Sequence, residues 1–208
     1  MKLMILGATG GTGLQVVRKA IERGHSVTAF VRSPDRLKPF CDSVTVRQGN
    51  LLNIEELAEA IKGHDAILSG FGPRLPIAKS DHDLLHRFAL ALTSAMHRAK
   101  LRRLVVESSA FLFKDSIVPP TYLLGRLFFS GVVKDATAME QVLFESGLDW
   151  TIVRPPRLTD DPYTGRYRVR EGHLPRFGFT ISRADVADSF IKSAETHAHI
   201  QRLIGISN

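Results

Sequence analysis

A glycine-rich turn between an apolar run and an amphipathic segment constrains this chain more than any other feature. The run Leu3–Leu6 is long enough only for a buried strand, and Leu14–Arg23 carries apolar residues at helical spacing. Gly7 lets the chain turn sharply, Gly10 lets a pyrophosphate approach the backbone, and Gly13 lets the helix pack closely on the sheet. This order of elements predicts the phosphate-binding turn of a dinucleotide-binding fold, with the N–H groups of the helix start facing the phosphates.

The glycines of this turn are spaced G-x-x-G-x-x-G rather than G-x-G-x-x-G, the spacing of the common dehydrogenases. An ordinary glycine-rich turn is the alternative interpretation. Because the motif stands at a strand-to-helix junction, the dinucleotide site is favoured. The residues expected to contact the cofactor here are Gly7, Thr9, Gly10, Gly11, Thr12 and Gly13.

Composition predicts one globular domain. The chain has 208 residues, of which 44% are hydrophobic and 24% charged, and it contains no low-complexity tract. No apolar run is long enough to span a bilayer, and the first strand follows Met1 almost directly, so we expect neither a membrane segment nor a signal peptide. The single cysteine, Cys41, is compatible with a reducing cytoplasm. We expect a cytoplasmic monomer or weak dimer.

The formal net charge of +7 suits either nucleic acid or an anionic cofactor and substrate. The basic residues are scattered, and no basic stripe interleaved with aromatic residues or recognition-helix signature is present in the sequence. We therefore expect small-molecule ligands and no nucleic-acid partner.

The end of the second predicted strand, Ser26–Val31, indicates which cofactor is preferred. An acidic residue here would bind the ribose hydroxyls of NAD, whereas a basic residue accommodates the 2′-phosphate of NADP. Arg32 follows the strand directly and Arg36 lies one turn further on, while Ser33-Pro34 is typical of a helix start that favours a phosphate. The sequence predicts NADP(H), with a plain surface charge as the alternative for Arg32.

Two further strand ends supply candidate cofactor contacts. Asn50, after the third strand, lies where the carboxyl edge of the sheet should meet adenine, although asparagine is also a common turn former. The fourth strand, Ala66–Ser69, is followed by Gly70-Phe71-Gly72, and small residues suit a backbone lying against the cofactor. A plain loop is the alternative for this segment.

The fifth and sixth strands should end at the reactive end of the cofactor. Ser108 and Ser109 are candidates to bind the nicotinamide amide or a reacting group, with helix capping or turn formation as the alternative. Arg157, after the sixth strand, is a candidate for a substrate carboxylate or phosphate. The apolar segment 111–131 between these strands is either a lid over the pocket or a core helix.

Metal chemistry is not expected. His82 and His86 lie four residues apart on a predicted helix, but no acidic or cysteine partner has suitable spacing. The Tyr-x-x-x-Lys pair of the short-chain dehydrogenases is replaced by Tyr122-Leu123-Leu124-Gly125-Arg126, and arginine does not substitute for that lysine. Reduction of an electron-poor ring does not require such a proton donor, because the ring accepts hydride and solvent supplies the proton.

The alternation of strands and helices predicts an α/β protein, with a single doubly wound parallel sheet of the Rossmann type over residues 1–208. No linker or second domain is evident. The substrate pocket should be formed by the C-terminal half, at about residues 108–180.

The chain resembles the atypical short-chain dehydrogenase/reductases with an NmrA-like NAD(P)H-binding fold, and within them the flavin and biliverdin-IXβ reductases. The matching segments are Gly7–Gly13, Val31–Leu37, Ser109–Leu112, Val118–Pro120, Glu145–Leu148, Pro155–Pro156, Thr164–Gly165 and Ile181–Ser182. Their order and spacing make the resemblance more specific than the glycine motif alone.

The resemblance implies NADPH bound by the glycine turn and by Arg32, Arg36, Asn50, Leu51, Phe71, Gly72, Ser108, Ser109 and Pro155. It implies a flavin or tetrapyrrole stacked on the nicotinamide beside Ser109. The candidate substrate residues of this chain are Phe111 and Arg157. The chain departs from the family pattern at Asn50, where aspartate is usual, and at Ala136 and Arg157, where the reductase has histidines.

Two functions remain open on the sequence. The first is an NADPH-dependent reductase that transfers hydride to a flavin, a tetrapyrrole, a quinone or a similar conjugated ring, with Ser109 as the candidate catalytic residue. The second is a non-enzymatic NADP(H) sensor of the NmrA-like kind, acting through a protein partner.

Overall fold

The structure, a computed structural model, describes residues 1–73, 83–112 and 130–208. Its strands are β1 Lys2–Leu6, β2 Ser26–Val31, β3 Val44–Gln48, β4 Ala66–Ser69, β5 Arg103–Glu107, β6 Asp149–Arg154, β7 Arg157–Thr159, β8 Arg168–Glu171, β9 Thr180–Ser182 and β10 Arg202–Ser207. Its helices are α1 Gly11–Glu22, α2 Ile54–Ile61, α3 Leu84–Ala99, α4 Ser130–Glu145 and α5 Arg183–Thr196, with 3₁₀ turns at Asp35–Phe40 and Ala110–Leu112.

The main sheet has the strand order β3-β2-β1-β4-β5-β6-β10-β8. This order continues the Rossmann arrangement 3-2-1-4-5-6, and the strands from β3 to β10 are parallel. The predicted α/β doubly wound fold is confirmed.

The prediction of one wholly parallel sheet is wrong at the C-terminal end. β8 pairs antiparallel with β10, and β7 and β9 form a separate parallel pair. No helix lies between β6 and β9 in this described part of the chain, so the chain turns back at the carboxyl edge after β6 and β8 runs antiparallel to the other strands of the sheet.

The sheet is covered on both faces, which is why its central strands are continuously apolar. Leu3 and Ile5 of β1 point to the core shared with α1 and α5, whereas Met4 and Leu6 point to the core shared with α2, α3 and α4. All four side chains are fully buried, and each contributes about 1.5–3 kcal/mol to folding through burial. This packing holds the strand ends that form the site.

Local sequence signals set two of the helix starts. The side chain of Asn53 accepts the N–H groups of Glu55 and Glu56 at 3.1 and 3.2 Å and caps α2. Ser182 accepts the N–H of Asp185 at 3.0 Å and caps α5. Both caps supply acceptors that helix starts otherwise lack.

The predicted lid segment is only partly described, since residues 113–129 lie outside the ranges given above, as do Tyr122, Arg126 and His82. α4 begins at Ser130, before the predicted start at Asp135. None of the helices in the described ranges is both long and apolar enough to cross a membrane.

Candidate functional site

The candidate site lies at the carboxyl edge of the sheet, where the strand order reverses between β1 and β4. From this point β2 and β3 extend to one side, and β5 and β6 extend to the other. Ligands of open α/β sheets bind in the crevice outside such a switch point. The glycine turn follows β1 and therefore stands at the centre of the crevice.

Two glycines are required by the geometry of this turn. Gly7 has φ +71°, and a Cβ there would lie 2.7 Å from the backbone nitrogen of Phe71. A Cβ on Gly13 would lie 2.1 Å from the carbonyl oxygen of Gly7, so α1 packs directly on the turn. The N–H of Gly10 donates to that same oxygen at 2.8 Å, which closes the turn.

The start of α1 has the electrostatic properties of an anion site. Its first turn contains no acidic residue, and within the described ranges no side chain caps it at Gly10. The exposed N–H groups and the positive end of the helix dipole therefore favour a negatively charged ligand. This close-packed glycine cradle fits the pyrophosphate of a dinucleotide.

Arg36 lies beside the glycine turn. It is in the 3₁₀ turn Asp35–Phe40, and its Nη1 donates to the carbonyl oxygen of Thr9 at 2.7 Å. The sequence predicts that this guanidinium binds the ribose 2′-phosphate. Tertiary folding places it at the edge of the glycine turn.

A cavity of about 460 Å³ lies beyond the ends of β2 and β3. It is lined by Arg32, Gln48, Gly49, Asn50, Leu52, Leu84 and Arg87. Two guanidiniums line this cavity, one from Arg32 directly after β2 and one from Arg87 in α3, so it suits a phosphorylated nucleoside. The candidate cofactor residues Arg32 and Asn50 both line it. Sequence reasoning did not single out Arg87, because nothing local relates α3 to this sheet edge.

Asn50 also organises the turn that it belongs to. Its side-chain oxygen accepts the N–H of Leu52 at 3.0 Å, and its own N–H donates to Glu56 at 2.9 Å. Leu51 is half-buried against the core under α2 and α3. Asn50 therefore forms the turn, as the alternative interpretation expected, and it also lines the cavity.

Phe71 and Gly72 follow β4. The ring of Phe71 packs on Phe88 with centroids 4.6 Å apart, so its side chain belongs to the core. Its backbone lies against Gly7 across the switch point, and Gly72 is exposed beside it. Any contact of these residues with a cofactor would therefore come chiefly from backbone.

Ser109 and Pro155 meet at the ends of β5 and β6. The N–H of Ala110 donates to the carbonyl oxygen of Pro155 at 3.1 Å, which ties the Ser109 turn to the end of β6. Ser109 is half-buried, and Phe111 lies in the 3₁₀ turn that follows. Two predicted site residues from distant parts of the sequence are thus brought together.

Ser108 is engaged in a buried polar network. Its hydroxyl donates to Glu140 Oε1 at 2.6 Å, and Glu140 forms a two-point ion pair with Arg154, whose Nε lies 2.9 Å from Oε1. The network ties α4 to the ends of β5 and β6. The Ser108 side chain therefore supports the turn that carries Ser109, and its predicted cofactor contact would come from backbone.

Arg157 lies on β7, opposite Thr180 of β9, and is exposed. The small second sheet that holds it was not predicted from the sequence. No group of three histidine, cysteine, aspartate or glutamate residues in the described ranges could hold a metal ion.

Glu107 is a site residue that sequence reasoning missed. It ends β5, and its carboxylate accepts the hydroxyl of Thr12 in the first turn of α1 at 3.3 Å. Burial raises the pKa of Glu107 to about 7, although the Thr12 hydrogen bond and the charge of Arg183 act in the opposite direction. A carboxyl group that titrates near neutrality thus lies directly behind the glycine turn.

Replacing this carboxyl with an amide should make folding stability less dependent on pH. Because the folded-state pKa of Glu107 lies above its ordinary value of 4.5, ionisation of the carboxyl costs stability increasingly as pH rises from that value to above 7. At about 1.4 kcal/mol per pKa unit, Glu107→Gln should gain on the order of 3 kcal/mol relative to wild type above about pH 8 and little below about pH 5. Denaturant unfolding across this range measures the difference.

The matched control is Glu145→Gln, which changes an exposed glutamate on α4. Its unfolding free energy should follow that of wild type at every pH. If the Glu107→Gln curve also runs parallel to the wild-type curve, the carboxyl does not titrate in the folded state as described.

The fold, the switch-point turn and the uncapped helix start define a dinucleotide-binding Rossmann protein. The sequence model of the NAD(P)H-binding family matches residues 7–197, which include the whole of this site. The chain belongs to the NAD(P)H-binding family, as its resemblance to NmrA-like proteins implied.

The chain is also similar to individual relatives and solved structures. YwnB of Bacillus subtilis, an uncharacterized protein, is 35% identical over 210 residues, covering 96% of this chain and 94% of its own. A short-chain dehydrogenase/reductase from Veillonella parvula in complex with NADP superposes with a TM-score of 0.82 at 21% identity, over 100% of this chain and 94% of its own. The anaerobilin reductase ChuY from Escherichia coli O157:H7 has a TM-score of 0.81 at 21% identity, over 100% and 97% of the chains.

Proposed function

We propose that this protein is an NADPH-dependent reductase that transfers hydride to a flavin or a similar conjugated ring. The observation that carries the proposal is the combination at one sheet edge of the glycine cradle with Arg32 and Arg36. Arg32 lines the cavity beyond β2 and Arg36 contacts the glycine turn, and the end of β2 carries no acid to select NAD, which supports NADPH as the cofactor. The Veillonella relative with bound NADP supports the same cofactor class.

The bound cofactor would supply the hydride, and the residues of this chain would bind and orient it. The glycine turn, from Gly7 to Gly13, would hold the pyrophosphate, and the cavity beside Arg32 would hold the phosphorylated adenosine. The turn at Ser109 and Pro155 would position the nicotinamide. Ser109 would either position that ring or assist proton transfer, while catalysis rests mainly on orientation and stacking.

An exposed aromatic loop supports a flat acceptor. Phe177 and Phe179 are 86% and 63% exposed, and Phe177 adopts φ +57°, a conformation that is costly for a residue with a side chain. The N–H of Gly178 between them donates to the carbonyl oxygen of Pro175 at 3.0 Å. Large rings held in a strained turn and presented to solvent suit stacking on a conjugated ring.

This loop lies at the same sheet edge as the proposed nicotinamide position. Gly178 packs against Ser207, the last residue of β10, so closely that a Cβ would lie 2.5 Å from the Cβ of that serine. Earlier in the loop, Leu174 packs on Ala110, which directly follows Ser109. We propose that the loop, together with the candidate substrate residues Phe111 and Arg157, forms the acceptor side of the pocket.

A non-enzymatic NADP(H) sensor is the second candidate. The observation that favours it is the replacement of the Tyr-x-x-x-Lys pair, since the sequence places arginine at position 126. In either role we propose a cytoplasmic monomer or weak dimer with small-molecule ligands.

The deciding experiment follows NADPH oxidation with FMN, quinone and biliverdin as acceptors, and with NADH in parallel. Turnover that prefers NADPH supports the reductase. Tight binding of both NADP⁺ and NADPH without turnover of any acceptor favours the sensor. In the reductase, Phe177→Ser should raise the KM for the acceptor and leave NADPH affinity unchanged, whereas Leu90→Ser on exposed α3 surface should change neither.

A further inference from the structure

Arg183 lies across the start of α1. It is the first residue of α5, which packs beside α1, and Gly11 is the first residue of α1. A Cβ built on Gly11 would lie 2.6 Å from Arg183 Nε and 2.9 Å from its Cδ. α1 leads into β2 and α5 leads into β10, which are both strands of the parallel part of the sheet. A helix that leads into a parallel strand runs in the opposite direction to it, so both helix N-termini lie at the carboxyl edge of the sheet.

The immediate surroundings of this guanidinium are electrostatically incomplete. α5 compensates its own positive end with the Ser182 cap and with Asp185 in its first turn, whereas α1 has neither a side-chain cap in the described ranges nor an acid there. A cation held at a helix N-terminus is unfavourable, because both carry positive charge. An anion at this point would stabilise the helix start and the guanidinium together.

The carboxylates near Arg183 do not replace such an anion. Its Nη1 donates to Asp160 Oδ1 at 2.7 Å, but the Asp160 side chain is 84% exposed and that of Arg183 only 26%. Ion pairs with a solvated partner contribute little to stability. Behind the turn, burial raises the pKa of Glu107 to about 7, so this carboxyl is only partly ionised near neutral pH and is an incomplete counter-charge for Arg183.

We propose that Arg183 is a cofactor-binding residue that contacts the pyrophosphate at the glycine turn, which deepens the proposed function and rests on it. The pyrophosphate would supply the negative charge that the α1 start lacks, and Asp160 would hold the guanidinium in place beforehand. Since the pyrophosphate is common to NADPH and NADH, Arg183 sets affinity for both cofactors, whereas Arg32 discriminates between them.

The test measures dissociation constants of NADPH and NADH by nicotinamide fluorescence, without any acceptor. Arg183→Ala should weaken both cofactors by a similar factor, roughly 10- to 100-fold. Arg183→Lys should recover part of the loss, because it restores the charge but not the planar fork. Adenosine 2′-monophosphate, which lacks a pyrophosphate, should have the same inhibition constant in wild type and variant when it is measured by competition with NADPH.

The control is Arg170→Ala, which removes an exposed arginine from the distant edge strand β8 and should leave both constants unchanged. Circular dichroism melting of each variant verifies folding, and the lysine variant keeps the test valid if alanine destabilises the turn. Unchanged affinities in Arg183→Ala, or a loss confined to NADPH, would overturn the assignment while leaving the reductase intact. Absence of cofactor binding by wild type would instead remove the proposed function itself.

Discussion

Arg32→Ala is expected to weaken NADPH binding by roughly 10- to 150-fold while NADH binding hardly changes. The guanidinium lines the cavity proposed for the phosphorylated adenosine, and a hydrogen bond to a charged group contributes about 1.5–3 kcal/mol. At about 1.4 kcal/mol per tenfold change, that energy gives the expected range. Fluorescence titration of each cofactor measures the two affinities separately.

The control for this change is Lys38→Ala, which removes an exposed cation from the neighbouring 3₁₀ turn without altering the cavity lining. It should leave NADPH affinity within about twofold of wild type, since exposed charges at this range are screened. Equal losses of NADPH and NADH in Arg32→Ala would mean that the arginine supports the fold of the β2 end instead of reading the 2′-phosphate.

Glu140→Ala is expected to lower the free energy of unfolding by about 3–5 kcal/mol. Glu140 and Arg154 are both buried and form a two-point ion pair, so removing the carboxylate takes this ion-pair partner away from a buried guanidinium. The Ser108 hydroxyl loses its acceptor at the same time. Guanidinium-chloride unfolding measures the loss, and Glu145→Ala at the exposed end of the same helix should cost under about 1 kcal/mol.

A paired substitution tests whether the loss of stability in Glu140→Ala comes from the Arg154 charge that remains buried. Glu140→Leu combined with Arg154→Met replaces the ion pair with apolar side chains and should recover most of the stability lost in Glu140→Ala, because neither charge remains buried. A double variant as unstable as the single one would show that shape or the Ser108 contact dominates. In Glu140→Ala the free energy of cofactor binding should change less than the free energy of unfolding, because the network supports the Ser109 turn and does not itself contact the cofactor.

Glu107, Arg183 and the Glu140 network show how distant residues enter one site. Glu107 and Thr12 are 95 residues apart in sequence yet hydrogen-bonded. No local sequence pattern marks Glu107 or Arg183 as a site residue, because glutamate at a strand end and arginine at a helix start are both common on ordinary surfaces. Their proximity follows from the order of the strands, which places β5 and α5 beside the glycine turn.

The sequence by itself determined the features that depend on neighbours along the chain. Spacing of apolar residues predicted the second and fourth strands, Ser26–Val31 and Ala66–Ser69, with the bounds observed. The glycine turn was readable because a strand, a positive φ at Gly7 and a close-packed helix at Gly13 are all local requirements.

Only the tertiary structure decided which side chains share a site. It placed β8 antiparallel at the edge, brought Arg87 to the cavity of Arg32, and directed the Ser108 hydroxyl to Glu140. Such contacts depend on the paths of strands far apart in sequence, and periodicity carries information only over a few turns or a single strand. The chemistry of each residue was therefore predictable, whereas its partners were set by the packing of the whole sheet.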